Sequence, residues 1–410
     1  MINISKIRKQ RGLSQKIVSK LVGIPVRQLE TIESGEPISG DIKNKLATVL
    51  GVPIYALSAK NVHVAPLPTD FRTTGNRIAS IHQSGLDSFY RAYTVKNFSN
   101  FLKKELSQDT IYEKFISQYK RNKYDDINFQ SALSALLKYN FSDALELNDA
   151  YRLFYKLRYN AESHGISVIA ESLKGDQFRG FCLHDQVTPI VHLNITNQHN
   201  RMRIFTLVHE LVHIIANETG IVDPFNNLNK LESFCNKVTA EFLMPKEQFG
   251  DWIHGQDASD IRGLVNDVAS KLPFSKFAIA IRIAEIKGNR SLIGKWLSSV
   301  GNKNFNKFNF DTFDAKFDFS DSDAVEIGGH DEEIESGNSE DTYQPHHTAA
   351  SYQVARLGFG VFELLQNALD HDIVSRFDIK ENLNIRPNVI DDALSSFNRK
   401  RKEVRGYASS

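Results

Sequence analysis

Five consecutive residues, His209-Glu210-Leu211-Val212-His213, combine two imidazoles and a carboxylate at a spacing that suits metal-assisted hydrolysis. Histidines four apart leave the same face of a helix, so both rings can reach one tetrahedral zinc ion. Glu210 follows the first histidine directly. From there its carboxylate can take a proton from a metal-bound water and pass it to a leaving amine, which is the chemistry of peptide-bond cleavage. A catalytic zinc needs a third protein ligand and an open fourth position. Glu232 is the best-placed third ligand, with Glu241 and Glu218 as fallbacks. His184 and His192 stand alone in or beside strands, where histidines are ordinarily hydrogen-bonded residues, and are left out of the site.

The elements that must position these groups follow from hydropathy. Phe205, Leu207, Val208, Leu211, Val212, Ile214 and Ile215 make residues 204–218 apolar nearly all round, so this helix is expected to be buried. Burial makes uncompensated imidazoles and carboxylates costly, and a metal would satisfy them. Residues 231–242 form a second helix closed by Met244-Pro245; Glu232 and Asn236 share one of its faces, while Phe234, Val238 and Phe242 supply packing. Upstream, the runs 166–170, 178–183 and 189–195 read as three strands. Polar turns at Lys174-Gly175-Asp176 and His184-Asp185-Gln186 suit hairpins in both gaps. A protein substrate is expected to add a strand at a sheet edge, the one formed by 189–195. Helical periodicity marks 98–106, 111–119, 129–137, 261–287 and about 350–402, the last with Val354, Leu357, Val361, Leu364 and Leu365 on one face. The expected fold class is mainly α with a small β-sheet, α+β.

Charge is balanced over the 410 residues, 50 Lys plus Arg against 49 Asp plus Glu, so only its distribution is informative. Residues 1–60 hold Lys6, Arg8, Lys9, Arg11, Lys16, Lys20, Arg27, Lys43, Lys45 and Lys60 against Glu30, Glu33, Glu36 and Asp41, a net +6 that suits a polyanion. Between Asp311 and Asp341 twelve acidic residues face Lys316 alone among Gly, Ser and Asn, the composition of a solvated tether. Two cysteines, Cys182 and Cys235, exclude a disulfide framework and a Cys-x-x-Cys knuckle and fit a reducing cytoplasm. No signal peptide is evident, and the apolar run 277–286 is cut by Arg282 and Glu285, so neither export nor a membrane span is expected.

The first 58 residues divide into five short helical stretches punctuated by Gly12-Leu13-Ser14, Gly23-Ile24-Pro25, Ser34-Gly35 and Gly51-Val52-Pro53. Residues 15–35 resemble the helix-turn-helix of the Cro and phage-repressor type, the XRE family. That resemblance implies that Gln15 opens the first motif helix, Gly23 makes the turn and 26–33 form the recognition helix. In such a motif Val26, Arg27, Gln28 and Thr31 would meet base edges, with Arg27 suited to guanine and Gln28 to adenine, while Gln15 and Lys16 would sit near phosphates. Val18, Val22, Leu29 and Ile32 are expected in the core.

The run Arg203-Ile204-Phe205-Thr206-Leu207-Val208-His209-Glu210-Leu211-Val212-His213, with Glu232-Ser233-Phe234-Cys235-Asn236 and Ala240-Glu241-Phe242-Leu243-Met244-Pro245, resembles the ImmA/IrrE metallopeptidase family. The resemblance implies zinc held by His209, His213 and Glu232, with Glu210 as the base. Cys235 departs from the family's usual Ala, a change to another small, largely apolar residue. Leu67-Pro68-Thr69-Asp70-Phe71-Arg72 and Phe178-Arg179-Gly180-Phe181 resemble the branch that carries an N-terminal helix-turn-helix. The expected organisation is a DNA-binding domain at 1–58, a linker at 59–76, a zinc metallopeptidase domain at 77–290, an acidic tether at 291–349 and a helical region at 350–410.

The functional expectation is a cytoplasmic DNA-binding regulator with Zn2+-dependent endopeptidase activity. Its partners would be DNA, a protein substrate and a second copy of the chain in a homodimer, with no membrane. By resemblance, the substrate would be a repressor or other transcription factor in a stress response, a mobile element or a toxin-antitoxin pair. The competing reading is a non-proteolytic regulator or antitoxin that uses the peptidase fold for binding or sensing; retention of Glu210 argues against it, because a structural zinc needs no general base.

Overall fold

A computed structural model describes residues 3–58, 64, 83–119, 126–173, 178–196, 198–218, 228–300 and 348–408. It is mainly helical with one small mixed sheet, as the hydropathy pattern implies. The N-terminal unit is α1 (Ile4–Gln10), α2 (Gln15–Val22), α3 (Val26–Ser34), α4 (Gly40–Leu50) and a 3-10 turn (Ile54–Ser58). Ser14 caps α2 by accepting from the Ile17 N–H, and Gly23 ends it in the left-handed region at φ 78°, which costs glycine little. Val18, Val22, Leu29 and Ile32 are buried where the helices meet, in a core that continues into the elements that follow.

Next come α5 (Gln83–Glu105), α6 (Ile111–Ile116), α7 (Asp126–Leu137), α8 (Phe141–Leu147) and α9 (Ala150–Ser163), then β1 (Ser167–Glu171), β2 (Gly180–Leu183) and β3 (Ile190–Asn194). The strand order is β1-β3-β2, with β1 parallel to β3 and β2 antiparallel to it. Two expectations are corrected here. Only β2 and β3 form a hairpin, because β1 pairs with β3 in parallel and the connection to β2 must cross over. Strand β3 is therefore the centre of the sheet and cannot offer the edge expected at 189–195; the edges are β1 and β2.

Alternate strand residues go to two different cores. Val168, Ala170, Cys182, Val191 and Leu193 join the helices that follow the sheet, whereas Ile169, Phe181, Leu183 and Ile190 join α5, the N-terminal unit and the C-terminal helices. The first core includes α10 (Asn200–Glu218), α11 (Leu228–Leu243), α12 (Lys246–Trp252), α13 (Ile261–Lys271), α14 (Lys276–Ile286) and α15 (Ser291–Ser299). Helix α15 buries Leu292, Ile293, Trp296 and Leu297, so the segment expected as tether from 291 begins with a packed helix; 301–347 lie outside the described residues. So do 65–82, which include the Leu67-Pro68-Thr69-Asp70-Phe71-Arg72 run.

The second core is closed by α16 (Ala349–Asp370), α17 (Arg376–Leu383) and α18 (Pro387–Ala408). Helix α16 breaks at Gly358, φ 85° and ψ 170°, and the freed N–H groups of Phe359 and Gly360 donate to the Glu162 carboxylate at 2.7 and 3.2 Å. Arg158 pairs with the same carboxylate at 2.9 Å and donates to the carbonyls of Ala355 and Val168. Helix α9, strand β1 and α16 are thereby fastened at one buried point.

Candidate metal centre

Helix α10 buries Ile204, Leu207, Val208, Leu211, Val212, Ile214 and Ile215. With apolar contacts on nearly every side the helix cannot rotate, so the face that carries His209 and His213 is fixed. Their Nε2 atoms stand 3.0 Å apart, and the rings are 4.8 Å between centroids at 67°. From α11, Glu232 brings Oε2 to 3.2 Å from His209 Nε2 and Oε1 to 3.2 Å from His213 Nε2. Ligand atoms of all three lie within 4.8 Å of one another.

This donor set fits a divalent cation. Two imidazole nitrogens facing each other at 3.0 Å beside a carboxylate concentrate lone pairs. Nitrogens bound to one tetrahedral zinc, each about 2.0–2.1 Å from it, would stand about 3.4 Å apart. The His209 Nδ1 is buried with no hydrogen-bond partner among the described residues, while Phe205 lies against the ring at 6.3 Å. Burial opposes ionisation of Glu232, but His213 and His209 outweigh it and hold the carboxyl well below the usual carboxylate range.

Glu210 is buried, at 5% exposure, on the adjoining face of α10. Strand β2 runs close to it at Gly180, where an added Cβ would sit 2.9 Å from the Thr206 methyl and the His192 carbonyl and 3.2 Å from Glu210 Oε1. Any side chain at 180 would thus displace the wall beside this carboxylate. Of the alternative ligands, Glu241 instead bonds Arg282 at 3.2 Å and the Lys246 N–H at 3.0 Å; the side chain of Glu218 lies outside the described residues. His192 is an internal partner of Glu171 at 3.0 Å and stacks on Phe181 at 4.5 Å. His184, set aside in the sequence reading, stands near the centre: desolvation of its ring and the nearby His213 push it down to about 4, although the residue as a whole is exposed, and its Nε2 is 3.8 Å from Cys182 Sγ. The signal available was its position one residue beyond the strand that flanks α10.

Beside the centre a cavity of about 570 Å³ opens between α11 and α14–α15. Its lining includes Phe205 of α10 and Ser233 and Asn236 of α11, each within four positions of His209 or Glu232 in the sequence.

In the N-terminal unit Val26, Arg27, Gln28 and Thr31 are exposed along the outer side of α3, and Lys16 is exposed on α2. Gln15 is half-buried and donates to Glu33 at 2.9 Å, and Arg8 bonds the same carboxylate at 2.6 and 3.0 Å. These bonds fix α1, α2 and α3 relative to one another.

The comparisons agree with this division. Residues 161–284 match the model of the IrrE N-terminal-like domain, a peptidase family, and residues 4–57 match the helix-turn-helix model. The first match runs from the end of α9 through the sheet, α10 and α11 into α14; the second covers α1 to the 3-10 turn. No curated protein and no solved structure matches the chain. The class is a regulator with a DNA-binding helix-turn-helix and a metallopeptidase-type domain. More narrowly, the architecture is that of ImmA/IrrE with an XRE-type N-terminal domain.

Proposed function

We propose that this chain is a DNA-binding regulator that cleaves a protein, a repressor or another transcription factor, at a zinc ion held by His209, His213 and Glu232. The observation that carries the reading is the convergence of those three donor sets within 4.8 Å, next to a buried Glu210 and a cavity of peptide size. Zinc bound there would polarise the scissile carbonyl and acidify a water. Glu210 would take the proton from that water and release it to the departing amine; its burial against β2 at Gly180 keeps the carboxylate out of bulk water. Among the described strands β2 is an edge, and it passes Glu210 at Gly180, so a substrate strand would pair there through its backbone. Val26, Arg27, Gln28 and Thr31 would read base edges while Gln15 and Lys16 bind phosphates, so that cleavage is confined to proteins at or near an operator.

The reading is tested by elemental analysis of wild type, Glu210→Gln and His213→Ala, followed by mass spectrometry of purified helix-turn-helix repressors incubated with each. Expected is about one zinc per chain in wild type and Glu210→Gln, much less in His213→Ala, and cleavage by wild type alone. A chain that takes up no zinc after reconstitution would overturn the peptidase assignment. Zinc uptake without cleavage of any repressor would return the domain to a binding role.

A further inference from the structure

Charge on the last helix is sorted along its length. The first half of α18 exposes Asp391 and Asp392, and Asp391 pairs with Arg376 at 2.7 Å. Residues 399–405 then hold Arg399, Lys400, Arg401, Lys402 and Arg405 against Glu403 alone. On other helices exposed lysines meet a carboxylate one turn away, as Lys45 meets Asp41 and Lys271 meets Asp267, both at 2.8 Å. In this run Arg401 is held by Glu363 at 2.9 Å, and Arg405 donates to the Tyr159 hydroxyl at 2.8 Å. Arg399, Lys400 and Lys402 make no ion pair among the described residues. Burial lowers the pKa of Lys400, and the charges of Arg158 and Arg399 lower it further. Like charges are thus brought together, and an anion from outside would relieve their repulsion.

Arg399 and Lys402 are exposed on the side of α18 away from its buried Ala393, Phe397 and Val404. Lys16 and Arg27 of the helix-turn-helix have the same character, exposed cations without an ion pair among the described residues. Helix α17 packs against both α5 and α18, and the N-terminal unit joins α5 in the same core, so the two basic surfaces belong to one packed half of the chain. Duplex DNA is the polyanion that the helix-turn-helix match brings within reach. Six residues of helix rise about 9 Å, while duplex DNA presents a charge about every 1.7 Å of its axis, so the run can follow phosphates without reading a base.

We propose that the C-terminal half of α18 is a second DNA surface, which grips the phosphate backbone of a duplex through Arg399 and Lys402, with Lys400 behind them, in addition to the helix-turn-helix contacts. Such a grip adds affinity without base preference and lets the chain search along DNA. It rests on DNA being a partner and needs neither zinc nor cleavage.

The test is fluorescence anisotropy of a labelled mixed-sequence duplex of about 30 base pairs with the full-length chain over a series of NaCl concentrations. Arg399→Gln with Lys402→Gln removes two exposed cations that hold nothing in the described structure, so folding is not at stake. The slope of log affinity against log salt should become shallower by about 2, since each phosphate contact contributes about 0.9, and affinity at about 0.1 M salt should fall more than tenfold. Lys16→Gln with Arg27→Gln should flatten the slope by a like amount, and the four substitutions together should add the two losses. Arg376→Gln, an exposed cation already held by Asp391, should leave the slope where it was. An unchanged slope and affinity in Arg399→Gln with Lys402→Gln overturns the proposal and leaves the helix-turn-helix as the DNA surface. A loss confined to that variant, with Lys16→Gln and Arg27→Gln silent, upholds it and removes the helix-turn-helix from duplex binding. A wild type that binds no duplex at low salt overturns both. Displacement of the label by a poly-glutamate peptide as readily as by unlabelled duplex overturns it in favour of an acidic polypeptide.

Discussion

Two sets of histidines in this chain meet carboxylates in opposite ways. His192 Nε2 is matched by Glu171 at 3.0 Å, and Arg91 reaches the same carboxylate at 2.9 Å, so the Glu171 carboxylate finds its partners within the protein. His209 and His213 present nitrogens to each other as well as to Glu232, an arrangement that a cation completes. For Glu171, burial disfavours the charge, but the bonds and charges of His192 and Arg91 outweigh it and hold the carboxyl at about 2 instead of 4.5. A folded-state value below the unfolded one gives stability that is present above about 4.5 and lost as the pH falls toward 2. A displacement of that size is of order 3 kcal/mol at neutral pH, most of it retained because only 6% of the side chain is exposed. Urea denaturation of wild type and Glu171→Gln should therefore show a gap of about 2–3 kcal/mol at pH 7 that closes between pH 4.5 and 2. A gap independent of pH would mean that the carboxyl is not ionised in the folded chain.

Among the elements, α16 depends most on a single atom's absence. A Cβ at Gly358 would overlap the Glu162 carboxylate and crowd Arg158, and the φ of 85° disfavours any other residue. Gly358→Ala should destabilise the chain by about 2–4 kcal/mol, the combined scale of backbone strain and a disturbed buried ion pair. Hydrogen exchange should show the loss concentrated in residues 349–408; unchanged protection there would mean that the Glu162 clasp is dispensable. No sequence pattern announced this clasp, because its partners are 197 and 198 residues apart and a lone glycine in a helical run has several readings. The metal helix was legible for the opposite reason: His209, Glu210 and His213 are local, and the apolar residues around them fix which side they face. The strands fall between these cases. The runs Val168-Ile169-Ala170 and Ile190-Val191-His192-Leu193 are continuously apolar, as befits strands buried on both faces, yet turn residues between them suggested hairpins. Arg282 was visible only as a break in an apolar run; its pairing with Glu241 exists only once α11 and α14 are packed.

At the scale of the whole molecule, the DNA-binding unit, α5 and the C-terminal helices share the core on one face of the sheet, while the metal helix belongs to the core on the other. Tyr90 on α5 donates to the Val49 carbonyl at 2.7 Å, and the Arg11 guanidinium lies 4.9 Å from the Tyr90 ring while donating to the Leu50 carbonyl at 3.1 Å. The sheet, together with the α9–α16 clasp at Glu162, is thus where the two halves support each other. Removing residues 301–410 would strip α16 and α17 from β1 and α5, which contribute Ile169, Leu86, Phe89 and Val95 among others to the shared core. Each large apolar side chain so exposed forfeits about 1.5–3 kcal/mol. Four of them amount to a loss comparable with the 5–15 kcal/mol that ordinarily separates folded from unfolded chains. The truncated chain should therefore lose cooperative thermal unfolding in calorimetry and fail to retain the zinc we propose, although His209, His213 and Glu232 all precede the cut. A truncated chain that unfolds cooperatively and takes up zinc would show instead that the C-terminal helices are an accessory, and that the core around His209, His213 and Glu232 stands on the sheet without them.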